Sequence, residues 1–307
     1  MIEINDGFLI INKPQGITSA EVTRVIKKRI KVKKIGYLGT LDPLAIGVLV
    51  VALGKATRLI MFMEKEDKEY DASLTLGAET DTQDSEGEVV NQADPSHITE
   101  DQVKELLPRY TGEIDQVPPM YSAKKQQGQR LYALARQGIT VERKPVRVNI
   151  RSLSVTGKEG PVVHLSATVS TGVYLRTLCH DIGNELGVYG HLSALTRVRS
   201  GIFKIEDSIP LDMITKENLD EVNAKIIPLA EGLANMNKVT VVPHATGRLG
   251  KGMPLGVSEI IKYEDCGGGE LVRIVGRDGA FYGVGKAEGP SLAGFPFSTI
   301  LPRRVII

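Results

Sequence analysis

The sequence predicts an α+β fold on a mostly antiparallel sheet, followed by a small β-rich unit at the C-terminal end. Three observations carry this prediction. Strand-like and helix-like segments are interleaved without the regular alternation that a parallel sheet requires. Tyr70, Ala72, Leu74 and Leu76 alternate with other residues, the period of a half-buried strand. Beyond residue 236 short apolar runs (238–242, 271–275, 280–284) are joined by glycine-rich turns, including the hairpin signal Asp278-Gly279.

The elements follow in order. Residues 8–11 read as a buried strand ending at Asn12-Lys13-Pro14. A helix comes next, with Thr18 as N-cap and Glu21 three positions on, a capping box. Its apolar stripe is Val22, Val25, Ile26 and Ile30, with the lysines on the other side. Residues 35–47 read as a glycine-rich loop, 48–53 as a buried strand and 55–63 as a short helix. After the strand at 70–76 come a capped helix at 99–107 and an extended segment opening at Pro118-Pro119. A short basic helix at 129–137 is stopped by Gly138. Strands are expected at 146–150 and 163–169, then a helix at 174–186 with Leu175, Leu178, Ile182 and Leu186 inward. A boundary near Met236 divides a large domain, 1–236, with an insertion at about 118–150, from a small one at 237–307.

With 42% apolar and 24% charged residues, the 307-residue chain can form a sizeable core without covalent staples. Cys179 and Cys266 are far apart and outside any CxxC, so neither a disulfide framework nor a zinc site is expected, as suits a reducing cytoplasm. No signal peptide is visible, and the longest apolar run, 48–53, is far below the roughly 20 residues of a membrane span. The expectation is a soluble, cytoplasmic protein with no membrane contact.

The net charge of +1 makes no global case for nucleic acid. Its distribution says more. Arg24, Lys27, Lys28, Arg29, Lys31, Lys33 and Lys34 crowd one stretch and 124–151 forms a second, while acids gather at 64–71 and 79–88. Such segregation suits a basic face for an anionic polymer, or a solvated helix face.

Familiar sites fail one by one. Gly47 to Lys55 resembles a phosphate loop, but six residues instead of four separate its glycines and Ala56 stands where a magnesium-binding hydroxyl belongs. The acidic run at 81–87 has its glycine one position late for a calcium loop and lacks the terminal Glu. His97, His164, His180, His191 and His244 show no ligand spacing. No metal and no cofactor are expected. What remains is Asp42, a carboxylate among apolar residues and glycines, just before a buried strand. Pro43 biases it toward extended backbone. On these grounds alone Asp42 is a candidate, and an ordinary Asp-Pro turn is the alternative.

The motifs taken together resemble the TruB family, the bacterial tRNA pseudouridine-55 synthases, along nearly the whole chain. Residues 12–19 (NKPQGITS) are similar to the family's N-terminal motif and 39–45 (GTLDPLA) to its catalytic motif. Lys68-Glu69-Tyr70 with the loop 77–87 resembles the tyrosine strand and acidic loop. Pro118-Pro119-Met120-Tyr121-Ser122-Ala123-Lys124 is similar to the start of the RNA-closing insertion, and Tyr174-Leu175-Arg176-Thr177-Leu178 to the arginine motif. The run 191–195 leading to Arg197 and Gly201-Ile202-Phe203 fits as well, and the tail ending 301–306 resembles a PUA RNA-binding domain.

The resemblance implies a pseudouridine-synthase catalytic domain plus a PUA-like domain, acting alone on the T-arm of tRNA, as a monomer without guide RNA. Uridine 55 would be flipped out at a cost of a few kcal/mol. Asp42 would be the catalytic carboxylate, partnered by Arg176 because burial otherwise raises its pKa. Stripping one member of a buried pair costs about 3–5 kcal/mol. Tyr70 would stack on the uracil, worth roughly 1–3 kcal/mol, with its phenol a further candidate for taking the C5 proton. Leu195 is expected as a pocket wall or simply as core. Lys13 braces the catalytic loop, meets phosphate or is solvated. Asp81 and Asp84 hydrogen-bond the displaced nucleotide or are surface acids. Lys124, Arg130, Arg143 and Lys144 would grip the RNA backbone. The C-terminal unit would contact the acceptor stem or serve as a cap. Two departures stand out: Tyr37 replaces a histidine that packs on flipped nucleotides, and Thr196 stands where arginine is common.

Overall fold

The computed structural model describes residues 4–306 except 123 and 127, so Ala123 of the insertion motif lies outside the described residues. The first sheet is fed by β1 (Gly7–Lys13), β2 (Ile35–Leu38), β3 (Ile46–Leu53) and β4 (Lys68–Leu76), with α1 (Ser19–Ile30) after β1. A small hairpin, β5 (Ala78–Thr80) and β6 (Val89–Gln92), precedes α2 (Glu100–Leu106) and β7 (Gly112–Gln116). The insertion contributes β8 (Lys125–Gln126), β9 (Gln129–Arg130) and α3 (Leu131–Ala135). Then come β10 (Val146–Glu159), β11 (Val162–Val169), α4 (Leu175–Glu185), β12 (Gly190–Ser200), β13 (Phe203–Lys204), β14 (Ile209–Pro210) and α5 (Leu219–Ala224). The remainder is β15 (Lys238–Val241), α6 (Ala245–Gly250), β16 (Leu255–Gly256), β17 (Ile260–Tyr263), β18 (Leu271–Gly276), β19 (Phe281–Glu288) and β20 (Thr299–Val305).

The large sheet runs β14-β1-β3-β12-β4-β11-β10-β7, with β13 on β12 and β2 on β3. It is antiparallel except at β1–β14 and β3–β12. The alternation read from the sequence is what buries it. Tyr70, Ala72, Leu74 and Leu76 lie on the face that packs α2 and α4. Helix α1 starts at the Thr18–Glu21 capping box and covers the other face with Val22, Ile26 and Ile30, against Leu9, Ile11, Leu49 and Val51.

One irregularity positions the site. A single edge of β3 serves two partners: Ile46 and Gly47 pair with β12, whereas residues 50–53 pair with β2. The connection 39–45 emerges at this split. Beyond it, the stretch of the same β12 edge that β3 leaves free is closed by the acidic loop, through Ser85 N–H to Leu192 O at 2.9 Å and Leu192 N–H to Gln83 O at 3.1 Å.

Several expectations need correction. Residues 35–38 form β2 rather than loop, because four residues suffice to cap the free edge of β3. Residues 55–63 form two short 3-10 turns, 54–58 and 60–62, instead of one helix. The basic helix at 129–137 shrinks to the five residues of α3 behind a two-residue hairpin. Strand β12 escaped the sequence reading altogether. Its two register shifts break the period of two, and it buries an arginine that sequence patterning counts as exposed.

The second sheet is ordered β16-β20-β19-β18-β15-β17, with Gly279 at φ +83° in the β18–β19 turn. It shares a core with the first. Val284 and Ile306 pack into the cluster of Phe8, Ile10, Val48 and Val50, and Arg273 ties back to the Met236 and Ala230 carbonyls at 2.7 and 2.8 Å. Phe8, 1% exposed, sits in this seam against Phe203. Phe8→Ala is expected to cost about 3–5 kcal/mol in urea unfolding. A loss below about 1 kcal/mol would mean the seam is not a packed core.

Candidate active site

The loop 39–45 is held from three sides. Arg197, 0% exposed, donates from Nε to Val48 O at 2.7 Å and from Nη2 to Gly39 O at 3.0 Å, pinning both shoulders of the loop. Gly47 must be glycine here: φ is +97°, and a Cβ would fall 2.4 Å from Arg197 O. The segment after β1 buttresses the front. Gly16 N–H bonds Pro43 O at 2.8 Å, and the Ser19 hydroxyl exchanges bonds with Leu41 N and O at 2.8 and 3.0 Å. Lys13, 0% exposed, donates its ammonium to the carbonyls of Pro14, Pro43 and Ala45 at 2.9, 3.3 and 2.7 Å. The physical logic of the N-terminal motif is therefore to scaffold the loop.

Asp42 stands at the tip, with Leu41, Leu44 and Ala45 sinking into the core beside it. Arg176 rises from the first turn of α4 and spends all three guanidinium nitrogens. Nε lies 3.1 Å from Asp42 Oδ2. Nη1 meets Thr82 O at 3.1 Å and Asp84 Oδ2 at 3.4 Å, and Nη2 meets Tyr121 O at 2.7 Å. The Asp84 contact is sealed, with side chains 5% and 6% exposed, whereas Asp42 is 41% exposed on the open side. The pair is thus buried on the arginine side and open on the Asp42 side, and breaking it should cost less than breaking a sealed pair.

Burial pushes the Asp42 carboxyl above the ordinary carboxylate range; Arg176 pulls it down, and Asp84 pushes it up again. Glu86, which accepts from the Leu44 N–H, is likewise raised, by burial and then by Asp84 and Asp42. Lys13 is lowered to about 8 by burial, with Asp42 and Glu86 opposing the shift. One guanidinium therefore faces two carboxylates, over a buried ammonium whose hydrogen bonds go to backbone.

The other expected residues divide. Tyr70 is buried on β4 between Ala167 and Arg197, in one cluster with Leu41, Leu44 and Leu195. Asp84 is a correction, since it is no surface acid. Its carboxylate accepts from the Thr82 hydroxyl at 2.6 Å and Glu86 N–H at 3.1 Å and faces Arg176, which leaves it committed to the protein. Lys13 likewise is neither solvated nor open to phosphate. Asp81 is exposed and accepts from Glu88 N–H. Tyr37 packs partly into the α1 cluster, not the one that flanks Asp42. Lys124, Arg130 and Lys144 are exposed, Arg130 lies 6.0 Å from the Tyr132 ring, and Arg143 turns inward to Pro118 O at 3.1 Å. The sequence reading missed the bracing role of Arg197 and the half-buried Tyr174, whose phenol lies in the field of Arg176 and Asp42. An arginine inside an apolar alternating run was the available signal for Arg197.

Comparison with known proteins bears on this arrangement. Residues 27–175 match the TruB family pseudouridylate synthase N-terminal domain, and residues 176–236 match the tRNA pseudouridylate synthase B C-terminal domain. A tRNA pseudouridine synthase B of Syntrophotalea carbinolica is 44% identical over 275 residues, 90% of each chain. Another, from Syntrophomonas wolfei, is 47% identical over 240 residues, 76% of this chain and 80% of its relative. This chain belongs to the TruB family. Among solved structures, an H/ACA ribonucleoprotein bound to a substrate RNA containing 2′-deoxyuridine is similar at a TM-score of 0.77 and 27% identity. That likeness covers 99% of this chain and 86% of the other. A Cbf5-Nop10-Gar1 complex gives 0.76 and 29%, over 97% and 84%.

Lys13 supplies a direct check of the scaffold. Its folded pKa, about 8, lies below the ordinary 10.5, so between those values the unfolded chain binds a proton that the folded chain does not. Stability therefore rises with pH across that window. Urea unfolding should show wild type gaining on Lys13→Met from pH 8 to 10.5, and a flat difference would contradict the buried, charged lysine.

Proposed function

We propose that this protein is a tRNA pseudouridine synthase that isomerises uridine 55 of the T-loop, with Asp42 as the reacting carboxylate and with no cofactor or guide RNA. The observation that carries this reading is the Asp42–Arg176 contact at 3.1 Å, with Asp42 partly exposed, in a chain whose relatives are named tRNA pseudouridine synthase B. In the reaction the C1′–N1 bond breaks, the base turns, and C5 bonds C1′. The proton lost from C5 is matched by one gained at N1, so composition and redox state are unchanged. The chemistry demands one ionised carboxylate and a pocket for an everted base. Arg176 favours the ionised form, and Tyr70 and Leu195 provide apolar surface beside the loop.

In this reading the insertion with Lys124, Arg130, Arg143 and Lys144 closes on the T-arm backbone, and Asp81 and Tyr37 meet displaced nucleotides. The unit at 237–307, a PUA-like domain following a boundary near 236, reaches toward the acceptor stem. The protein works in the cytoplasm as a monomer. Among the described residues no helix is long and apolar enough to cross a membrane.

A second reading draws on the likeness to H/ACA assemblies: action within a guide-directed particle. Purified protein incubated with an unmodified tRNA transcript, with pseudouridine mapped at single-nucleotide resolution, separates the two. Modification of uridine 55 by the protein alone supports the first reading, and silence without partners supports the second. Asp42→Asn should lower the single-turnover rate by on the order of 10³-fold or more while the protein stays folded; retained activity would refute the assignment. Arg176→Lys keeps a charge but loses the fork that reaches Thr82, Asp84 and Tyr121. It should cost about 10²-fold in rate through misplacement of the carboxylate, and a wild-type rate would show that positioning by the fork is dispensable.

A further inference from the structure

A cavity of about 320 Å³ lies away from Asp42, where the two sheets meet. Its floor is buried and mostly apolar, formed by Leu38, Met63, Ser200, Phe203 and Leu233. Its mouth is formed by Glu66 of the first sheet's connections and by Asn235, Glu270 and Leu271 around the start of the second sheet. The volume falls within the size of small-molecule sites, at the kind of junction where such sites concentrate.

Two further features give the cavity a chemistry. The Ser200 hydroxyl lines it, is fully buried and has no hydrogen-bond partner among the described residues, an arrangement that ordinarily costs free energy. The polar rim is also one-sided. Glu66 and Glu270 are the ionisable side chains in the lining, which contains no lysine or arginine. Each carboxylate has one amide neighbour, Asn235 Nδ2 on Glu66 at 3.1 Å and Asn237 Nδ2 on Glu270 at 3.4 Å. A carboxylate accepts about four hydrogen bonds, so both retain capacity. The nearby Lys68 ammonium donates to the Glu66 backbone carbonyl at 2.9 Å, and although Lys68 and Arg199 lie in the field of Glu66, neither donates a hydrogen bond to its carboxylate.

We propose that this cavity is a binding site for a small organic cation: a primary amine on an apolar, aromatic-sized body. The body would fill the floor, and the ammonium would lie between Glu66 and Glu270. Ser200 lies on the same strand as Arg197, and Leu38 precedes Gly39, whose carbonyl Arg197 holds, so an occupant would rest behind the loop that Arg197 pins. A carboxylate-bearing molecule of the same shape would be rejected by the acidic rim.

The test is titration of the full-length protein with phenethylamine, alongside phenylacetate and phenethyl alcohol, followed by calorimetry and NMR. The amine should bind saturably and about tenfold or more tighter than the alcohol, with phenylacetate weakest. In Glu66→Gln/Glu270→Gln, a half-buried and an exposed position where the fold should survive, that preference should vanish. Absence of saturable amine binding overturns the proposal, as does equal binding of alcohol or acid, or a preference that survives the double substitution. Binding is read without any RNA, so a failure here leaves the assignment of Asp42 untouched.

Discussion

The site depends on one guanidinium that serves four acceptors at once. Arg176 leaves the first turn of α4 and meets two carboxylates and two backbone carbonyls from three separate segments. An arginine suits this task because its planar fork distributes donors in fixed directions and stays charged when buried. The sealed contact with Asp84 fixes the guanidinium to the acidic loop. The open contact leaves Asp42 attached to the protein yet facing solvent. A carboxylate so placed is held in orientation while remaining reachable, which is what a reacting group requires.

Holding that geometry falls to cations that never reach the surface. Lys13 and Arg197 are both fully buried, and both donate to backbone carbonyls of the residues around Asp42. Burying a charge is costly unless hydrogen bonds replace its water, and here the replacement acceptors are the loop's own carbonyls. The loop is thereby ordered by groups whose solvation depends on its shape. If the loop shifted, two buried charges would lose partners at once. The lowered pKa of Lys13 is the trace of that cost.

The sheet itself explains why the loop emerges where it does. Strand β3 gives its edge to β12 at Ile46 and Gly47 and to β2 from residue 50 onward, and the chain between the two sheds ordinary pairing. The free edge of β12 is then closed by the loop carrying Asp84. The loop 39–45 and the acidic loop are neighbours because both attach to one strand, and α4 packs beside it with Arg176.

Local physics made much of this legible from the chain. The capping boxes at Thr18 and Thr99, the alternation from Tyr70 to Leu76, the stripe of α4 and the Asp278-Gly279 turn each depend on neighbours within a few positions. Asp42 could be singled out, but composition and spacing left it indistinguishable from a turn until the ordered set of motifs was weighed. Other assignments needed long-range contacts. Whether Lys13 meets phosphate or a loop, and whether Asp84 is a surface acid or a partner of Arg176, depends on chain segments that the sequence holds far apart. Strand β12 and the buried role of Arg197 were hidden for the same reason: a register with two shifts and pairing on both edges exists only once distant strands have docked. The sequence alone determined which residues could form elements and which groups could react. Tertiary structure decided which charges were buried and what they held, because the free energy of a buried charge is set by partners brought together in space.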